Sequence, residues 1–127
     1  MQTQSKPMTV LLVDDHAQFL AMMRDYLGQF PQLRVAATAA SGEQAVALAE
    51  MHAPDIVIID LDMPGIGGIE ATRILKSLPC QPRVLVLTLH DEARFRRAAL
   101  EAGADFFIVK NCVYDEMPSL LAWLARP

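Results

Sequence analysis

Apolar residues recur along this chain in two alternating rhythms. Short runs rich in β-branched residues, Thr9 to Val13, Leu33 to Ala37, Asp55 to Ile59 and Arg83 to Leu87, predict four strands. Asp105 to Val109, which carries Phe106, Phe107, Ile108 and Val109, predicts a fifth. The runs are nearly continuous in apolarity rather than alternating, which suits parallel strands covered on both faces. Between them the spacing turns helical. Phe19, Leu20, Met23 and Leu27 share one side of a helix starting near Ala17, and Ala45, Leu48 and Ala49 do the same in a second. Ser41 followed by Gln44 fits a capping box at the start of that second helix, and Gly103 fits a stop after the run from Glu92 to Ala102. Shorter patterns predict a third helix around Ile69 to Lys76 and a fifth around Met117 to Leu124, with Pro118 confined to the first turn of the latter. Strand and helix alternate five times at intervals of roughly 20 to 28 residues, the rhythm of a parallel α/β sheet with right-handed crossovers.

Composition narrows the picture without changing it. A chain of 127 residues is long enough for one core and short for two. Hydrophobic residues at 53% and charged residues at 20% exclude disorder by composition. No apolar run approaches the roughly 18 residues of a membrane span. The opening MQTQSKP has no signal-like apolar stretch and is expected to be a flexible tail over residues 1–7, with a single domain over 8–127. Cys80 and Cys112 stand apart, with no zinc-like spacing, and suggest free thiols in a reducing, cytoplasmic setting. The net charge of -4 lacks the footprint of a nucleic-acid binder, so DNA binding by this chain alone is not expected. Arg94, Arg96 and Arg97 read as a solvated helix face.

The polar residues gather at the carboxyl ends of the predicted strands. Asp14 and Asp15 follow the first, Asp60 the third, Thr88 ends the fourth and Lys110 follows the fifth. Open α/β sheets place ligands at that edge. If the first and third strands are neighbours, three carboxylates converge, and such a cluster calls for a cation. Mg2+ suits it, being a hard ion that takes one or two carboxylates, waters and a phosphate oxygen. With a lysine and a hydroxyl at the rim, the set is suited to phosphoryl transfer, with a carboxylate attacking in line. Asp60 is the best nucleophile because it ends the apolar run Ile56-Val57-Ile58-Ile59, and Asp15 is better placed as a metal ligand. Each residue alone has a duller reading as helix cap, strand residue or solvated cation. Together and in this order they argue against coincidence.

The segments LLVDDH, IIDLDMPGIGG, VLTLHD and GADFFIVK resemble the successive motifs of response-regulator receiver domains, from Met8 to about Leu124. The resemblance implies a flavodoxin-like, doubly wound five-stranded parallel sheet, order 2-1-3-4-5, flanked by five helices. It also implies roles: Asp60 as phosphoacceptor, Asp15 as a direct Mg2+ ligand, Asp14 as a partner of the ion through water, and Asp62 as a backbone-carbonyl ligand. Thr88 becomes the switch hydroxyl, Lys110 the partner of the phosphoryl group, and Phe107 the aromatic switch. His90 and Asp62, each two residues beyond a site residue, fall where the family influences hydrolysis. The implied partner is a sensor histidine kinase or phosphotransfer protein, and the implied response is phosphorylation-linked self-association. DDH and GADFF are most similar to receivers joined to helix-turn-helix output domains of the LuxR or nitrate-response type, though none is expected within these residues. Such a domain is a signalling phosphoacceptor rather than an enzyme.

Two departures stand out. Asn111 replaces the proline that many receivers carry, removing the usual reason for a cis bond there. Phe107 lacks the hydroxyl of the commoner tyrosine, so any switching rests on packing. Rival readings fit less well. Asp60-Leu61-Asp62 is similar to the nucleophile motif of haloacid-dehalogenase-type phosphatases, but lies on the third strand rather than the first. An EF-hand loop fails at Pro64 and Ala71. A phosphorylation-independent interaction module is the remaining alternative, and the intact site residues give it no support. His16 and His52 read as surface residues near helix ends.

Overall fold

The computed structural model describes residues 6–63, 65–89 and 92–124. Among them five strands alternate with five α-helices: β1 (Met8–Val13), α1 (Ala17–Leu27), β2 (Leu33–Ala39), α2 (Gly42–His52), β3 (Ile56–Asp60), α3 (Gly67–Ser77), β4 (Arg83–Thr88), α4 (Ala93–Glu101), β5 (Phe106–Val109) and α5 (Val113–Leu124). The strands are parallel in the order β2-β1-β3-β4-β5, a flavodoxin-like sheet as expected. No described helix is long and apolar enough to cross a membrane. Most of the expected N-terminal tail, residues 1–5, and His90 lie outside the described residues.

The central strands β1, β3 and β4 bury both faces. Val57 and Ile59 of β3 pack with Ala45 and Ala49 of α2 and with Ala71 and Leu75 of α3. Ile56 and Ile58 pack on the other side with Met23 and Leu27 of α1 and Met117 and Leu121 of α5. Fully burying one such side chain stabilises by about 1.5–3 kcal/mol, so a one-residue slip of β3 would exchange two core faces at once. The strand therefore holds its register, and Asp60 its place.

Asp55 and Asp105, expected to open strands, stand just outside them. Their carboxylates turn back to accept backbone N–H groups, from Thr9 at 2.9 Å and from Val84 at 2.8 Å respectively, and so act as stops. The capping box is half as expected. The Ser41 hydroxyl accepts from the Gln44 N–H at 3.1 Å, but the Gln44 amide oxygen accepts from Ala40 rather than Ser41.

The expectation for α5 needs correction. The helix starts at Val113, so Pro118 lies inside it, beyond the first turn. A proline there deprives the Tyr114 carbonyl of its donor. Tyr114 and Pro118 are both exposed, which leaves water to take that place, while Val113, Met117 and Leu121 bury the opposite face. Tertiary packing overrides the local penalty. Every described peptide bond is trans.

The start of α3 is built on glycine. Gly68 donates its N–H to the Leu61 carbonyl at 3.1 Å, and a Cβ on Gly68 would stand 2.2 Å from the Asp60 carbonyl oxygen. Only glycine lets the helix close over the end of β3. Gly68→Ala is expected to cost at least about 1–3 kcal/mol in urea unfolding, the usual range for overpacking against rigid neighbours. An unchanged midpoint would mean that this junction yields freely.

Candidate functional site

The sheet register levels the carboxyl ends. Val13 pairs with Ile59, Asp60 with Leu87, and Thr88 with Val109, so Asp14, Asp60, Thr88 and Lys110 emerge along one edge. Strand alternation then sorts them. Asp14, Asp60 and Lys110 are in phase with Leu12, Ile58 and Ile108, on the α1 and α5 face, whereas Thr88 is in phase with Val86, toward α4.

Asp14 is 2% exposed and fully engaged. Its Oδ2 accepts from the Lys110 ammonium at 2.8 Å, and its Oδ1 accepts from the backbone N–H of His16 at 2.8 Å. The His16 ring joins the same oxygen through Nδ1 at 2.9 Å and lies 3.2 Å from Asp15 Oδ1. The hydrogen bond to Asp14, then the charges of Asp15 and Asp14, raise the imidazole above its usual pKa. Lys110 also sits over the Phe19 ring at 4.3 Å, an apolar floor that holds the ammonium toward the acids.

Asp60 is 3% exposed, and its Oδ1 accepts no hydrogen bond. The Lys110 ammonium lies 3.7 Å away, too far for one. Burial, then the negative charge of Asp14, push the carboxyl up to about 6 against the pull of Lys110 and a backbone hydrogen bond from Asp62. Asp55 and Asp105, at the opposite edge of the sheet, satisfy their carboxylates with backbone N–H groups. Asp60 is a different kind of residue: a buried acceptor with an oxygen to spare. The donor atoms of Asp14, Asp15, His16 and Asp60 lie within 4.8 Å of one another, and this largely oxygen set fits a hard divalent cation such as Mg2+.

The family profile of the response regulator receiver domain matches residues 10–122. The chain belongs to that family. As a receiver domain it is 36% identical to the response regulator UvrY of Escherichia coli K12 over 112 residues, covering 88% of this chain and 51% of UvrY. It is 31% identical to the nitrate/nitrite response regulator protein NarL of the same organism over 115 residues, covering 91% of this chain and 53% of NarL. The receiver thus spans about half the length of these relatives. A two-component response regulator of the LuxR family from Aurantimonas sp. SI85-9A1 superposes with a TM-score of 0.82 at 34% identity, over 93% of this chain and 87% of that one. The chain is therefore related to the LuxR-type regulators that its motifs resemble.

Within this receiver Asp14, Asp15 and Asp60 gather in one cluster, and Lys110 stands against Asp14 and Asp60. Asp62 is exposed two residues after Asp60. Thr88 is fully buried at the end of β4. Phe107 is 8% exposed and packs in the core beside Val86 and Ala99, with the Arg96 guanidinium over its ring at 4.6 Å. Two residues escaped the sequence reading. His16 is the exposed residue at a helix end that the sequence suggested, but its contact with Asp14 and Asp15 was missed, although its position directly after paired aspartates was a usable signal. Phe19 looked like ordinary helix packing, and nothing local tied it to Lys110.

Proposed function

We propose that this receiver accepts one phosphoryl group on Asp60 from the phosphohistidine of a sensor histidine kinase or phosphotransfer protein. The observation that carries this reading is the Asp60 carboxylate, buried at the sheet edge with an unbonded oxygen and with Lys110 and the other acids around it. A carboxylate oxygen attacks phosphorus in line, and the bond from phosphorus to the donor's imidazole nitrogen breaks. Asp15 and Asp60 would hold Mg2+, with Asp14 behind a water and the Asp62 carbonyl as a further ligand. The ion supplies charge neutralisation for the phosphoryl oxygens. Lys110 shifts its charge from the acids toward the incoming phosphoryl group, and Thr88 donates its hydroxyl to a phosphoryl oxygen.

That movement of Thr88 toward the phosphoryl group changes packing near Phe107 and Arg96, and thereby biases the surface of α4, β5 and α5 between two states. The receiver would then act by self-association or by contact with an output domain, with residues 8–127 as the signalling unit. Direct DNA binding is opposed by the net charge of -4. A cytoplasmic site of action suits this partner and the free thiols Cys80 and Cys112.

Incubation with acetyl phosphate and Mg2+ is expected to add a single phosphoryl group by intact mass, and none with chelator present. Asp15→Asn is expected to weaken Mg2+ binding far more than Thr88→Ala does. Equal losses in a Mg2+ titration would contradict these roles.

A further inference from the structure

Phe19, the third residue of α1, is half-buried and packs with Met23 and Leu27 against the α1 and α5 face of the sheet. Two placements bring its ring to the site. The Lys110 ammonium lies 4.3 Å from the ring centre, over its face. The ring also lines one narrow cavity together with Asp14, Asp60 and Met23. A single carboxylate fixes both partners of the ring contact. Asp14 Oδ2 accepts from Lys110 at 2.8 Å, while Asp14 Oδ1 accepts from the His16 N–H at 2.8 Å and so anchors the turn from which α1 starts. The Leu20 N–H then donates to the His16 carbonyl at 3.1 Å and closes the first turn, which carries Phe19.

An aromatic face is a particular kind of support for a site lysine. It attracts the ammonium through its charge and ties none of the three N–H donors into a fixed bond. One donor is committed to Asp14, and Asp60 Oδ1 stands 3.7 Å from the nitrogen. The other donors can therefore turn to a phosphoryl oxygen while the ring contact persists. A carboxylate at position 19 would trap the ammonium in a second ion pair, and an aliphatic side chain would not attract it. We infer that Phe19 is a positioning residue for phosphoryl transfer to Asp60: the negative face of its ring, more than its bulk, keeps the Lys110 ammonium turned toward the place where charge gathers on the phosphoryl oxygens. Without that face the flexible stem of Lys110, which is 11% exposed, gains other orientations, and fewer molecules present the ammonium ready for transfer. Charge held in place beforehand speeds the reaction because nothing has to rearrange when the phosphoryl group arrives.

This inference rests on Asp60 being the phosphoacceptor, and the test separates the two. Phe19 is replaced by phenylalanine carrying one, two or three ring fluorines, which keep its shape nearly unchanged while weakening the negative face step by step. Phe19→Leu and Phe19→Tyr complete the series. Proton NMR of the metal-free proteins follows the Lys110 ε-methylene, which the ring shifts upfield in the wild type and not in Phe19→Leu. Intact mass then gives the rate of phosphoryl uptake from acetyl phosphate with Mg2+. The expected result is a rate that falls with each fluorine, to about five-fold below the wild type with three fluorines and in Phe19→Leu, while Phe19→Tyr stays close to the wild type. A merely structural role would follow side-chain shape and leave the fluorinated proteins at the wild-type rate. Rates that stay flat across the fluorine series, or no upfield shift of the ε-methylene in a protein that is labelled on Asp60, overturn the role of Phe19 alone. Absence of labelling in the wild type overturns the phosphoacceptor reading and this inference with it.

Discussion

Asp60→Asn is expected to abolish phosphoryl uptake from acetyl phosphate and, in the metal-free protein, to raise stability at neutral pH. Both effects come from one buried carboxylate. Its pKa rises from 3.8 to about 6, first through burial and then through Asp14. An acid whose pKa is raised by folding holds its proton in the native state after the unfolded chain has released it. Stability is therefore highest below the unfolded value and falls as pH climbs toward the folded value, by about 3 kcal/mol in all for a shift of this size. Asparagine has nearly the same shape and no charge to bury.

In urea titrations the variant should outlast the wild type at about pH 7.5, with the gap closing by about pH 4. His16 also loses its charge over part of this range, and its raised pKa makes its contribution to stability fade as pH rises. It does so in both proteins, so the difference between them isolates Asp60. Equal midpoints at neutral pH would contradict the electrostatic account. Robust phosphoryl labelling of the variant would remove Asp60 from the chemistry.

Lys110→Met is expected to be the most damaging single change near the site that leaves the core untouched. The ammonium is bonded to Asp14 at 2.8 Å, stands 3.7 Å from Asp60, and rests on the Phe19 ring. Methionine keeps much of the stem and its packing but leaves two buried acids facing each other without a cation. Removing one partner of a buried pair costs about 3–5 kcal/mol. Proton uptake by Asp60 softens that figure, so the loss should be greatest at alkaline pH. Added Mg2+ should restore more stability to Lys110→Met than to the wild type, because the ion replaces the missing charge. Combining the change with Asp14→Asn should recover much of the loss. A Lys110→Met midpoint within about 0.5 kcal/mol of the wild type would show that solvent already compensates these acids.

The strands were legible because a parallel strand buried on both faces must be apolar throughout, and runs such as Ile56-Val57-Ile58-Ile59 have no other economical use. Asp60 was legible as the polar residue interrupting that pattern at a carboxyl end. Strand limits were less so. Asp55 and Asp105 stop their strands through hydrogen bonds to Thr9 and Val84, residues distant in the chain. The early start of α5 was hidden because Pro118 opposes it locally, while burial of Val113, Met117 and Leu121 favours it only once the sheet exists.

The sequence by itself determined the family, the alternating fold, and the candidate acids, hydroxyl and lysine, since each of these is written in local pattern or in motif. Tertiary structure alone decided how they meet. Asp14 and Lys110 are 96 residues apart in the chain and 2.8 Å apart in space. Which Asp60 oxygen is left unbonded, where Phe19 supports Lys110 and why His16 turns inward all depend on contacts between elements. Local propensity reports what a segment can become. The charge, burial and reach of a side chain depend on neighbours that only folding supplies.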